Sequence, residues 1–367
     1  MKVRLVAITL AVSCLLTSTT AVRATNSNSR AFHPERLQPT KVVTIKPFFG
    51  YSPERIRARL SHSEIDVIKK LQNIAETWVP ATPPPANFVN WIIEPSAEGS
   101  PTIAVAAEAF QEARALLSVP FNTGSLPVFI VVGRTQKFIK EEVAKFRCIP
   151  SIATSGGDFL MGATICNRSV IVINLSGYLF LRRVDQPFTP SMETRREPNF
   201  SAMSYLIVDR NISSIPHEWT HVARSRLSDG FVPDNEPAWF REGLAEVIAA
   251  LARVRAADGK YPFVHFHIIR LRKFANWIDI CGIGLARFRT NIKSLNGCKY
   301  LTGAAAMELL IAKYGGIPKI ITLYAHMRES GDFLESFRYT YGMTLSEFEK
   351  RADVYSRYIA QAIAIGP

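Results

Sequence analysis

Two short stretches hold the residue types best suited to chemistry, His217-Glu218-Trp219-Thr220-His221 and Trp239-Phe240-Arg241-Glu242-Gly243-Leu244-Ala245-Glu246. Histidine is scarce, with seven in 367 residues, yet two of the seven stand four positions apart around a glutamate. At about 100° per residue, positions i and i+4 share one helix face, so both imidazoles can approach a single ion. Glu218, one position on from His217, can reach a metal-bound water without being a ligand. In this HExxH spacing a zinc ion lowers the pKa of its water toward about 7, and the glutamate takes the proton as water attacks a polarised carbonyl.

A catalytic zinc keeps three protein ligands and one open position. Metzincins supply the third as a His after a Gly, but Arg224 and Leu227 occupy those two places, which excludes that class. Downstream, Glu242 and Glu246 stand four apart and share a helix face. Glu242 can bind zinc, while Glu246, one turn on, can accept a hydrogen bond from a ligand His and fix its tautomer. Trp239, Phe240, Leu244, Ala245, Val247 and Ile248 predict that this helix is substantially buried. A buried acid on an apolar helix needs such a partner.

HEWTH followed after a short excursion by WFREGLAE resembles the gluzincin metallopeptidases, and is similar to the peptidase MA-like group related to aminopeptidase N and thermolysin. The resemblance implies a zinc hydrolase of zincin-like fold with His217, His221 and Glu242 as metal ligands and Glu218 as base. It extends to Tyr300-Leu301-Thr302-Gly303, which looks like the family's Tyr-x-x-Gly, and so implies that Tyr300 donates to the tetrahedral oxyanion. The run from Tyr314 to Arg351 resembles the helical tail of the same group. One departure stands out. The Gly-x-Met-Glu-Asn segment with which aminopeptidases hold a substrate N-terminus has no clear counterpart, and the nearest edge-strand candidate, Met161-Gly162-Ala163-Thr164, lacks the acid. Endopeptidase action or an unusual substrate is therefore open.

The elements that must position these residues are legible in outline. Ser61-x-x-Glu64 is a capping box, and Val67, Leu71, Ile74 and Trp78 follow at helical spacing until Pro83-Pro84-Pro85. A helix over Ile103 to Leu117, a strand from Pro127 to Gly133 and a helix to about Phe146 come next. Two β-rich runs within 159–175, split by Cys166-Asn167-Arg168, predict a hairpin. Residues 176–200 read as a surface excursion. From Ser213 the pattern is mostly helical, with Ser213 or Ser214 available as N-cap and Pro216 in the first turn. The fold class expected is α+β. An N-terminal lobe over 51–210 carries a small mixed sheet, a mainly helical lobe over 211–367 binds zinc, and the active-site helix lies at their junction.

Composition bounds the rest. The chain is 47% hydrophobic and 20% charged, which permits a sizeable core and excludes disorder. Residues 1–24 read as a signal peptide, with Lys2 and Arg4 before an apolar run too short to span a membrane, and 25–50 as a flexible leader. No transmembrane anchor is expected after cleavage, and the localisation expected is secreted or extracytoplasmic, with periplasm or cell surface both open. Cleavage removes Lys2, Arg4 and Arg23, which takes 44 basic residues to 41 against 31 acids, a net charge of +10. These bases are scattered without interleaved aromatics, so no nucleic-acid partner is expected. Cys148, Cys166, Cys281 and Cys298 then remain. Sequence-near pairing, Cys148 with Cys166 and Cys281 with Cys298, is one of three possible connectivities. His265, His267 and His326 are expected to be structural or surface residues.

Three functions fit the same residues. The first is an exported zinc metallopeptidase acting on a peptide or protein substrate. The second is a non-catalytic peptide- or polymer-binding protein on a gluzincin scaffold, and the third a zinc amidase acting on cell-wall peptides. An intact Glu218 favours catalysis, because binding requires no general base.

Overall fold

The structure is a computed structural model. It describes residues 60–79, 88–99, 101–118, 127–146, 162–165, 169–175, 200–231, 233–257, 262–267, 281, 284–290 and 298–364, all within the unit Ala31–Pro367. The expected signal peptide and leader, Cys148, Cys166 and the excursion 176–199 lie outside these residues.

The capping box forms as the sequence predicts. Ser61 Oγ accepts from the Glu64 N–H at 3.3 Å, and the Glu64 carboxylate accepts from the Ser61 N–H at 2.9 Å. Helix α1, His62–Thr77, follows, and buries Val67, Ile68, Leu71 and Ala75. Strand β1, Val89–Ile93, is an element the sequence reading did not anticipate. Its signal was the aromatic and β-branched run Phe88 to Ile93, overshadowed by the prolines on either side. Helix α2, Pro101–Leu116, strand β2, Val128–Gly133, and helix α3, Gln136–Ala144, occupy the predicted places. Strands β3, Gly162–Ile165, and β4, Val170–Asn174, pair antiparallel, with Gly162 opposite Ile173.

The sheet order is β1-β2-β4-β3, with β1, β2 and β4 parallel and β3 antiparallel at the edge. It is therefore a small mixed sheet. Strands covered on both faces read as continuous apolar runs, as VFIVVG and VIVIN do. Val131, Val170 and Val172 pack on Ile139 and Val143 of α3, while Val128, Ile130, Val132, Ile171 and Ile173 face the main core.

Helix α4 runs Phe200–Leu227 and α5 runs Ala238–Ala256. The expected N-cap at Ser213 or Ser214 is thus corrected, since both lie well inside α4. Ile212 and Ile215 are buried and extend the stripe of Trp219 and Val222 upstream, so the helix gains core contacts by continuing past the proposed start. Pro216 has no N–H to offer the carbonyl of Ile212, and its own carbonyl accepts from Thr220 Oγ1 at 2.9 Å. Residue 210, where the sequence suggests the sheet gives way to helices, also lies inside α4. This helix packs on β3 and β4 on one side and on α2 and α5 on the other.

The short α6, Phe263–His267, precedes α7, Cys298–Lys313, α8, Gly316–Ser330, α9, Phe333–Tyr341, and α10, Leu345–Ala364. Helix α5 is buried along most of its length among α1, α2, α4 and α7. Cys281 and Cys298 form a disulfide, in agreement with one of the three connectivities the sequence allows, which ties the first residue of α7 to the segment before it. No described helix is long and apolar enough to cross a membrane.

Candidate metal centre

Helix α4 divides its residues by face. Trp219, Val222 and Ala223 enter the core, where an aromatic chain runs from Trp91 of β1 through Phe110 of α2 to Trp219, with edge-on contacts at 5.7 and 5.4 Å. That packing turns His217, Glu218 and His221 the other way. On α5, Trp239 Nε1 donates to Glu349 Oε1 of α10 at 3.1 Å, and Glu349 also accepts from Arg289 Nε at 2.9 Å. Trp239 is thereby fixed one turn before Glu242. Arg224, which stands where a metzincin would have Gly, makes a buried ion pair with Glu236. Tyr324 OH donates to the other oxygen of Glu236 at 3.0 Å, so the turn between α4 and α5 is held from both sides.

The structure brings the predicted ligands together. Glu242 Oε2 lies 3.6 Å from His217 Nε2 and 3.3 Å from His221 Nε2. One donor atom from each residue lies within 4.8 Å of the others. Zinc–nitrogen and zinc–oxygen bonds of about 2.1 Å in tetrahedral arrangement put ligand atoms ~3.4 Å apart, so the measured spacings fit that size of cation. His217 Nδ1 meets Glu246 Oε1 at 3.1 Å. With a proton on that nitrogen, loss of the one on Nε2 would free a lone pair beside Glu242 for a shared cation. Two imidazoles and a carboxylate make a nitrogen and oxygen set of the kind zinc takes. The cluster His217, His221 and Glu242 is able to hold a metal ion.

Electrostatics agree with a site built for positive charge. Burial opposes charging of His217, yet its hydrogen bonds to Glu242 and Glu246 outweigh burial and lift the imidazole to about 10. His221 goes the other way, because burial exceeds the pull of Glu242. Burial would raise the Glu242 carboxyl, but His221 and His217 together hold it well below the usual range. A metal must displace whatever proton this cluster holds.

Glu218 stands beside the ligands and outside their set. Its Oε2 accepts from Thr164 Oγ1 of β3 at 2.6 Å, and Thr164 Oγ1 also approaches the Glu218 carbonyl oxygen at 3.2 Å. A Cβ on Gly162 would come within 3.1 Å of Glu218 Oε1, so this glycine leaves room for the carboxylate. The edge-strand segment suggested by the sequence thus lies against the HExxH glutamate, and meets it with a threonine and a glycine where an aminopeptidase would offer an acid. Tyr300, in the first turn of α7, places its ring 6.0 Å from that of His217, at 31°.

Sequence reasoning places Gly162 and Thr164 on an edge strand but does not pair them with Glu218, which lies 54 residues or more away. It misses two other neighbours altogether. Arg241 Nε sits 3.3 Å and Lys299 Nζ 3.9 Å from Glu242 Oε1, and no spacing rule singles out either residue. The remaining histidines are elsewhere. His267 is wholly buried between Glu308, 2.7 Å from Nδ1, and Glu64, 3.1 Å from Nε2. His326 stacks on Tyr339. The side chain of His265 lies outside the described residues.

No protein-family model, curated protein or solved structure matches the chain.

Proposed function

We propose that the chain is an exported zinc metallopeptidase of gluzincin type on a zincin-like fold, with His217, His221 and Glu242 as ligands, Glu218 as general base and Tyr300 as oxyanion donor. The observation that carries this reading is the division of labour between two neighbouring carboxylates. Glu242 turns one oxygen to both imidazoles, whereas Glu218 is held away from that set by Thr164. A structural metal site needs the first carboxylate. Only hydrolysis needs the second.

A zinc ion held by His217, His221 and Glu242 would supply Lewis acidity, lowering the pKa of water and polarising a carbonyl. The protein's own groups do the rest. Glu246 accepts the Nδ1–H of His217 and keeps Nε2 turned toward the ligand cluster. Thr164 occupies Oε2 of Glu218, which leaves Oε1 to take the proton from water as its oxygen attacks the carbonyl carbon. The same proton passes to the amide nitrogen as the C–N bond breaks, and Glu218 ends as it began. The Tyr300 hydroxyl donates a hydrogen bond to the oxyanion. Strand β3 ends the sheet order next to Glu218, so an extended peptide adding to that edge would bring its carbonyl past the base. This supports a peptide as substrate.

The test is zinc analysis paired with cleavage of a peptide library, for wild type and Glu218→Gln. Both proteins should hold about one zinc per chain, and hydrolysis should fall by roughly 100- to 10,000-fold in the variant. Undiminished turnover in zinc-loaded Glu218→Gln would defeat the proposal, as would a folded wild type that refuses zinc. Zinc binding without any hydrolysis by wild type would favour the peptide- or polymer-binding alternative.

A further inference from the structure

We propose that Arg241 and Lys299 form a cationic wall beside the ligands that selects peptides carrying a carboxylate next to the scissile bond, either an acidic side chain or the peptide's own C-terminus. This inference rests on the metallopeptidase reading and specifies its substrate.

Glu242 uses its two oxygens differently. Oε2 faces the histidines, while Oε1 faces away, and there the two cations meet it from separate helices, Arg241 of α5 at 3.3 Å and Lys299 of α7 at 3.9 Å. Arg241 is close enough to hold the oxygen by a hydrogen bond. Lys299 at 3.9 Å is not, so its contribution there is charge. It is also 9% exposed and lies 5.1 Å over the ring of Tyr300, which puts the charge on the same side of the site as the oxyanion donor. Arg241 keeps 24% of its side chain exposed.

Arg241 and Lys299 thus set two positive charges beside the candidate ligands, and because Lys299 is buried, water and salt screen its charge little.

The probe is a set of short acetylated alanine peptides that differ only by Glu against Gln at one position, or by a free against an amidated C-terminus. Binding is measured by calorimetry on zinc-loaded Glu218→Gln protein, so that turnover does not interfere, and compared with turnover by wild type. The acid member of at least one pair should bind about 10- to 100-fold tighter than its neutral partner, as expected for a charge-assisted bond. Lys299→Gln and Arg241→Gln, with zinc content verified, should each shrink that ratio several-fold, and salt should shrink it in the parent protein. Whether the side-chain or the C-terminal pair responds identifies the source of the carboxylate. Equal binding within every pair overturns the inference, as does a ratio unchanged in both zinc-loaded variants. Since the decisive change lies in the peptide, a misfolded variant does not remove the test. Acid preference without hydrolysis would sink the peptidase reading alone, and hydrolysis without acid preference would sink this inference alone.

Discussion

Gly243 and Gly303 touch backbone to backbone where α5 crosses α7, and a Cβ on Gly243 would lie 2.7 Å from the Cα of Gly303. The glycine next to Glu242 and the glycine that completes Tyr-x-x-Gly are therefore two halves of one contact. Gly303→Ala should push the helices apart and cost about 3 kcal/mol, as overpacked cores do. Urea denaturation of the variant and parent, with zinc affinity measured alongside, checks this. An unchanged midpoint would mean that the helices separate freely.

The ligand assignment makes an ordered prediction. His217→Ala and His221→Ala should abolish tight zinc binding, and Glu242→Gln should weaken it severely. Glu246→Gln should keep the metal with affinity lower by roughly 10- to 100-fold, because it removes only the partner of His217 Nδ1. Competition with a chromogenic chelator reads all four. Loss of the ion in Glu246→Gln with retention in Glu242→Gln would reverse the two roles.

Thr164 is expected to position the base. Thr164→Val removes the donor to Glu218 Oε2 and keeps the shape, so kcat should fall about 10-fold with KM and zinc content unchanged, and Thr164→Ser should restore most of the loss. Tyr300→Phe should cost on the order of 100-fold. A Thr164→Val enzyme that turns over as fast as the parent would make this contact merely structural.

His267 links folding to pH. Burial opposes its charge, but Glu308 and Glu64 outweigh burial and raise the imidazole to about 9. The folded value lies above the unfolded one of about 6.5, so the stabilisation is complete below pH 6.5 and is lost as pH rises through 9. It amounts at most to a contribution on the order of 3 kcal/mol. Denaturation midpoints at pH 6 and pH 10 should differ more for the parent than for His267→Gln, a comparison in which the other titrating groups cancel. Parallel pH dependences would show that the imidazole keeps its charge state across that range.

The candidate site was legible in the sequence because its residues stand at helical spacing. His217 and His221, then Glu242 and Glu246, share faces that follow from 3.6 residues per turn alone, and the apolar residues around Glu242 announced its burial. The capping box at Ser61 was likewise readable, since it obeys a rule of short range, whereas four cysteines leave three connectivities open and only the structure joins Cys281 to Cys298. What only the tertiary structure decided has the opposite character. The start of α4 moved upstream because Ile212 and Ile215 find a core there, a gain no local cap signal contains. Thr164 meets Glu218 across 54 residues, and Lys299 meets Glu242 only because two glycines let separate helices come into contact. Such partners are chosen by packing, which joins residues according to the space they share and leaves no periodic trace in the chain.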